Sequence, residues 1–147
     1  MAEGITITRV FDAPREAVWR EWTQPECFAD WFGGAGGEIP LASVSMDVRP
    51  GGRWRLTMLA GPQRLEIDWH GEYREVVAPE RLAFTLSDRP GVAYELVTVV
   101  LSDVGDARTE MLFTQSGGNL EPEAYEQAAQ GWGGFFDRMD ERLVGAG

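Results

Sequence analysis

Between Leu65 and Arg74 the side chains alternate without a break. Leu65, Ile67, Trp69, Gly71 and Tyr73 take one side of an extended chain; Glu66, Asp68, His70, Glu72 and Arg74 take the other. That period of two fits a β-strand with one face buried. Arg53–Met58 repeats the scheme with its arginines outward. In Arg108–Ser116 the face carrying Met111, Phe113 and Gln115 is less clearly separated from the one carrying Leu112 and Thr114. Leu96–Leu101 is rich in β-branched residues and nearly apolar on both sides, as expected of a strand covered on both faces or partly so. Ile5–Phe11, Ala42–Arg49 and Leu82–Ser87 complete a set of about seven strands, one of them N-terminal. Turn residues at Arg49–Gly52, Ala60–Pro62, Ala78–Glu80, Asp88–Gly91 and Gly105–Ala107 punctuate the middle of the chain in the rhythm of an antiparallel meander.

Helical spacing occurs at two places. Pro14 is placed to open a helix carrying Val18, Trp19 and Trp22, and Thr23-Gln24-Pro25-Glu26 has capping-box spacing before a short second helix through Phe28, Trp31 and Phe32. From Pro122 a longer helix sets Tyr125, Ala128, Ala129, Trp132, Phe135, Phe136, Met139 and Leu143 on one stripe, with Asp137, Arg138, Asp140, Glu141 and Arg142 as a solvated face. Gly131, Gly133 and Gly134 inside it each cost about 1 kcal/mol relative to Ala. Burial of Trp132, Phe136 and Met139, at roughly 1.5–3 kcal/mol each, outweighs them. An amphipathic sheet with one long amphipathic helix has an economical solution: the sheet curls and the helix lies across its concave side. The expected fold is α+β.

The 147 residues form a single domain, 1–147, in which about two thirds of the unfolded surface becomes buried. Thirteen basic against twenty-four acidic residues leave a formal charge of −11, which disfavours nucleic acid and anionic membranes as partners. Every cation is arginine, so lysine Schiff-base chemistry and a Walker-type loop are excluded. The single Cys27 rules out an internal disulfide and agrees with a reducing cytoplasm. The start of the chain lacks the pattern of a secretory signal. The longest charge-free stretches, Met111–Leu120 and Gln127–Phe136, are ten residues each, too short to span a bilayer.

Catalytic constellations are scarce. His70 is the only histidine, and its strand phase reads as a solvated surface position; Cys27, early in a short helix, reads as a small, partly buried residue. No metal cluster and no cofactor are expected from one His and one Cys. Gly33–Gly37 follows a helix rather than a strand, which reads as a flexible loop and, over a cavity, as a lid. The aromatic residues are more informative, because small-molecule pockets are lined by rings with a few polar groups. On the sheet, Trp54, Met58, Trp69, Tyr73, Phe84, Tyr94, Phe113 and Gln115 are the candidate cavity-lining residues; on the last helix, Trp132, Phe136 and Met139. Singly, each is as well explained as core. Collectively they imply rings facing one another across a gap they do not fully close.

Several ordered motifs carry a resemblance. They are Phe11-Asp12-Ala13-Pro14 with Val18-Trp19, Trp31-Phe32-Gly33, Asp47 to Trp54, Gly71-Glu72-Tyr73, Val76 to Leu82, Thr98, Thr109 and Gly131-Trp132. The chain resembles the START-like (SRPBCC) superfamily, in the branch similar to the C-terminal domain of the heat-shock-protein-90 ATPase activator. The resemblance implies a helix-grip fold: a curved antiparallel sheet around a long C-terminal helix, with two short helices after the first strand and a deep hydrophobic cavity. It implies binding of a hydrophobic or aromatic small molecule, without metal or organic cofactor. The alternatives are a cyclase-, aromatase- or hydrolase-like enzyme working on such a ligand, or a co-chaperone-like interaction module using the outer sheet surface. With no additional N-terminal domain in this chain, activation of the chaperone ATPase is not expected. A homodimer is compatible with the sequence.

Overall fold

Residues 4–33, 37–88 and 94–145 are described by a computed structural model. Strand β1 (Gly4–Phe11) passes through Pro14 into α1 (Arg15–Thr23) and α2 (Pro25–Trp31). Then come β2 (Gly37–Glu38), a 3-10 turn at Leu41–Ser43 and β3 (Ser45–Met46). Five longer strands follow, β4 (Arg53–Ala60), β5 (Leu65–Val77), β6 (Arg81–Leu86), β7 (Glu95–Gly105) and β8 (Arg108–Ser116), and then α3 (Pro122–Gly145). The order across the sheet is β1-β8-β7-β6-β5-β4-β2, with β3 also paired to β4, and all pairings are antiparallel. The two short helices therefore carry the chain from one edge of the sheet to the other. This is the helix-grip architecture expected, with eight strands among the described residues.

The alternation in the sequence decides which face turns inward. Trp54, Leu56 and Met58 of β4 are buried while Arg53 and Arg55 are exposed, and Val97, Val99 and Leu101 of β7 lie opposite Gln115, Phe113 and Met111 of β8. Along β5 the pairing passes from β4, at Leu65–Glu72, to β6, from Tyr73 onward. Trp54 pairs across from Gly71, and its indole N–H donates to the Thr85 carbonyl at 3.0 Å. A Cβ at Gly71 would lie 1.8 Å from that same carbonyl oxygen, so the close approach requires glycine here. A register shift interrupts the β5–β6 ladder between Tyr73 and Glu75.

Three local expectations are corrected. Ala42–Arg49 is not a continuous strand, because the Ser43 hydroxyl donates to the Pro40 carbonyl at 2.7 Å and accepts the Thr57 N–H at 3.1 Å, closing a turn first. Thr23 does not cap α2; its hydroxyl donates back to the Trp19 carbonyl at 2.8 Å, and α2 starts on Pro25 instead. The charged side of α3 is not simply solvated. Arg142 donates to Glu21 at 2.6 Å and also to Asp30, Arg138 reaches Asp30 at 3.3 Å, and Arg9 of β1 bonds the Gly133 carbonyl and Asp137. These pairs fasten α3 to α1, α2 and β1. Burial works against ionisation of Asp30, but the hydrogen bonds from Arg142 and Arg138 outweigh it and hold its carboxyl below the ordinary value.

Candidate functional site

Between sheet and last helix the rings pack closely in one region and leave a hollow, partly open to solvent, in another. Trp22 of α1 lies at the centre of the closely packed region, with its ring 4.8 Å from Trp31 and near 6 Å from Phe84, Phe113 and Phe136. Phe28 stacks on Phe32 at 4.8 Å. The void left among Trp22, Phe28, Met46, Trp54, Tyr73 and Phe84 has no room for a water molecule. Toward the other end, where β5, β6, β7 and β8 face the middle of α3, a hollow of about 340 Å³ remains. Its walls are chiefly Phe32, Trp69, Leu86, Trp132 and Phe135, with Gly131 and Ala128 of α3 leaving the space that larger residues would occupy. That volume sits at the lower end of the range for small-molecule sites. Larger hollows are surface grooves with charged walls. One of about 630 Å³ runs past Asp30, Glu38, Asp137, Arg138 and Glu141, and another of about 550 Å³ lies over Arg53, Arg55 and Arg74 on the outer face.

A chain of hydrogen bonds crosses one wall of the smaller hollow. The Trp132 indole N–H donates to Gln115 Oε1 at 2.8 Å, which turns the amide so that its Nε2 donates to Glu95 Oε1 at 3.2 Å. Glu95 Oε2 accepts from the Asn119 side chain at 2.5 Å and from its backbone N–H at 3.3 Å. Opposite, Trp69 has a buried indole N–H with no acceptor among the described residues.

The eleven sequence candidates separate accordingly. Trp69, Gln115 and Trp132 wall the hollow. Trp54, Tyr73 and Phe84 surround the closed void, and Phe113, Phe136 and Met139 are fully enclosed in the core behind it. Met58 is buried against Gly33 and Gly37. Tyr94 does not face inward. It is 50% exposed on the outer side, with its ring under the Arg74 guanidinium and its hydroxyl accepting from Arg74 at 3.1 Å. The reason is phase: β7 turns Glu95, Val97 and Val99 inward, so the residue before Glu95 points out. Glu95 escapes a reading by residue type because it is charged, although counting back by twos from Leu101 reaches it. Phe32 and Phe135 stand in the helical patterns, which do not assign them to a wall. The lid expected of the Gly33–Gly37 loop falls largely on 34–36, outside the described residues.

Acid–base and nucleophilic candidates are quiet. Burial, and then the neighbouring Glu21, push the Cys27 thiol above its ordinary value, which disfavours a reactive thiolate. Burial also keeps the Tyr73 phenol protonated, the Asp47 charge adding to the effect. His70 stands on the outer face. Among the described residues, no three His, Cys, Asp or Glu side chains are grouped to hold a metal, and no helix is long and apolar enough to cross a membrane.

Known structures share this fold across nearly their whole length. A Chromobacterium violaceum protein superimposes with a TM-score of 0.85 at 24% identity, covering 97% of this chain and 98% of its own. An AHSA1 protein from Silicibacter pomeroyi gives 0.86 at 17% identity, covering 98% and 99%. A Nitrosomonas europaea protein gives 0.81 at 23% identity, covering 97% and 95%. At these identities the likeness speaks for fold alone. Comparison with curated proteins found no match. The sequence model of the family described as activator of Hsp90 ATPase homolog 1-like protein matches residues 12–144. The chain belongs to the AHSA1 family. In this AHSA1-family chain the Asp47 to Gly52 motif is a structural turn. Arg49 Nε donates to Asp47 at 2.9 Å, and a Cβ on Gly52 would lie 2.0 Å from the Asp47 carbonyl oxygen. Thr109 likewise ties its strand to the Ala13 carbonyl through a buried hydroxyl bond of 2.7 Å.

Proposed function

We propose that this AHSA1-family protein binds a small hydrophobic or aromatic molecule in the hollow between β5–β8 and α3. One observation carries the reading. In a core otherwise closed by interlocking rings, a space of about 340 Å³ is left beside Trp69, Trp132, Phe32 and Phe135, where α3 presents Gly131 and Ala128 in place of bulk. Trp69, Gln115 and Trp132 are the proposed contacts: two ring faces and an amide held in place by its own bonds. Removing an apolar ligand from water into such a site yields about 25 cal/mol per Å² of apolar area buried.

The test uses N-phenyl-1-naphthylamine, a neutral apolar fluorophore, titrated against tryptophan emission. Saturable one-to-one quenching is expected. Gly131→Leu should weaken it at least tenfold: Gly131 lines the hollow, and a Cβ there meets nothing within 4 Å, so a leucine is accommodated at that wall. The same change removes a helix-interior glycine, so stability should hold or rise by up to about 1 kcal/mol. A linear, unsaturable response in the parent protein, or undiminished binding by a folded Gly131→Leu variant, overturns the proposal.

A further inference from the structure

The described walls of the hollow carry two charged side chains, Glu95 and Asp88, and both are acidic. Asp88 is open to solvent, whereas Glu95 is 6% exposed. Only one other carboxylate among the described residues, Glu21, is buried as deeply. The two are treated differently. Glu21 has the Arg142 guanidinium at 2.6 Å, while the hydrogen bonds to Glu95 come from Gln115, Asn119 and Tyr125, which are neutral. No cation among the described residues forms an ion pair with Glu95, in a chain where arginines pair with Asp30, Glu38, Asp47, Glu72, Glu75 and Glu80 elsewhere.

The Trp132–Gln115–Glu95 chain directs an amide donor at the carboxylate from the apolar side. The Tyr125 phenol, raised above its ordinary value by burial and by its hydrogen bond with Glu95, stays protonated alongside. Neutral dipoles satisfy the oxygens without supplying a counter-charge. A buried charge is ordinarily paired. Here the position from which a partner would approach is the hollow itself, whose other walls include the Trp69, Trp132, Phe32 and Phe135 rings, with electron-rich faces that attract cations.

Building on the binding function proposed above, we infer that the ligand is an organic cation: an ammonium or amidinium group carried on an apolar or aromatic body, with Glu95 as its counter-ion. The rings take the body and the carboxylate takes the charge. Anionic amphiphiles, whose head would meet Glu95, are rejected by the same arrangement.

Three probes that share one apolar body separate charge selection from binding itself: 4-phenylbutylamine, 4-phenylbutanol and 4-phenylbutanoate, each titrated by calorimetry at pH 7. The expected order is amine tightest by at least tenfold over the alcohol, with the carboxylate weakest. Glu95→Gln should bring amine and alcohol to within about twofold of each other. Alcohol binding with no advantage for the amine overturns the inference and leaves the apolar site standing; failure of all three to bind overturns both. A preference for the amine that survives Glu95→Gln also overturns the assignment. Should that variant not fold, the three-probe order on the unaltered protein still decides, and competition of the amine with N-phenyl-1-naphthylamine locates it: amine binding that leaves the fluorophore in place overturns the inference.

Discussion

At Gly71 a single methyl group would sit 1.8 Å from the Thr85 carbonyl oxygen and 2.6 Å from the Trp54 indole nitrogen. Neither is the loose end of a flexible side chain, so Gly71→Ala must separate β5 from β6 or break the Trp54–Thr85 bond. Leaving that buried pair unsatisfied costs roughly 1–3 kcal/mol before any strand displacement is counted. Urea denaturation should show a loss of at least about 2 kcal/mol, while Gly134→Ala, on the exposed side of α3 with nothing within 4 Å, should gain up to about 1 kcal/mol. A neutral Gly71→Ala would contradict the close approach. The same scale shows where reading side chains by type succeeds and fails. Trp69, Gln115 and Trp132 are legible because ring and amide fit the inward pattern. Tyr94 and Glu95 defy type, since an aromatic residue points out and a charged one points in, as the two-residue period from Leu101 requires.

For α3, the apolar stripe from Tyr125 to Leu143 is legible because burial on one face imposes helical spacing on the sequence itself. Its ionic fastening is not, since Glu21 and Asp30 lie 121 and 112 residues from Arg142, and no local pattern records a contact over that distance. Arg142→Met keeps length and apolar stem but leaves Glu21 buried without its cation. The cost should lie between that of an exposed pair and a fully buried one, about 2 kcal/mol, and thermal melts will read it. Acid tests the Asp30 half of the clamp. Its carboxyl is held below the unfolded value of 3.8. The stability it contributes is therefore complete above that value and is lost as pH falls through the lower folded one. As pH falls below 3.8 the melting temperature of the parent protein should fall more steeply than that of Arg142→Met. Parallel slopes would show that the clamp does not link acid to unfolding.

Across the whole molecule, helix order and the position of the last helix on the concave side follow from periodicity and turn residues, and the strand count comes within one. The interior does not. The sheet and α3 by themselves imply a gap, but the rings of α1 and α2, above all Trp22, Phe28 and Trp31, occupy the inner part of it. Nothing in two short helices tells which layer their aromatics enter, because that depends on how the chain crosses from β1 at one edge to β2 at the other. The outcome is a grip with a floor. Under the proposed binding function, a guest that reached Phe32 and Trp132 would meet solid packing beyond, and the site would measure length. In a series of n-alkylamines, each added methylene should contribute up to about 0.8 kcal/mol while it finds cover, then nothing once the tail is forced outward into water. Calorimetric affinities plotted against carbon number should therefore break to a plateau, and a line that keeps rising would mean the floor gives way.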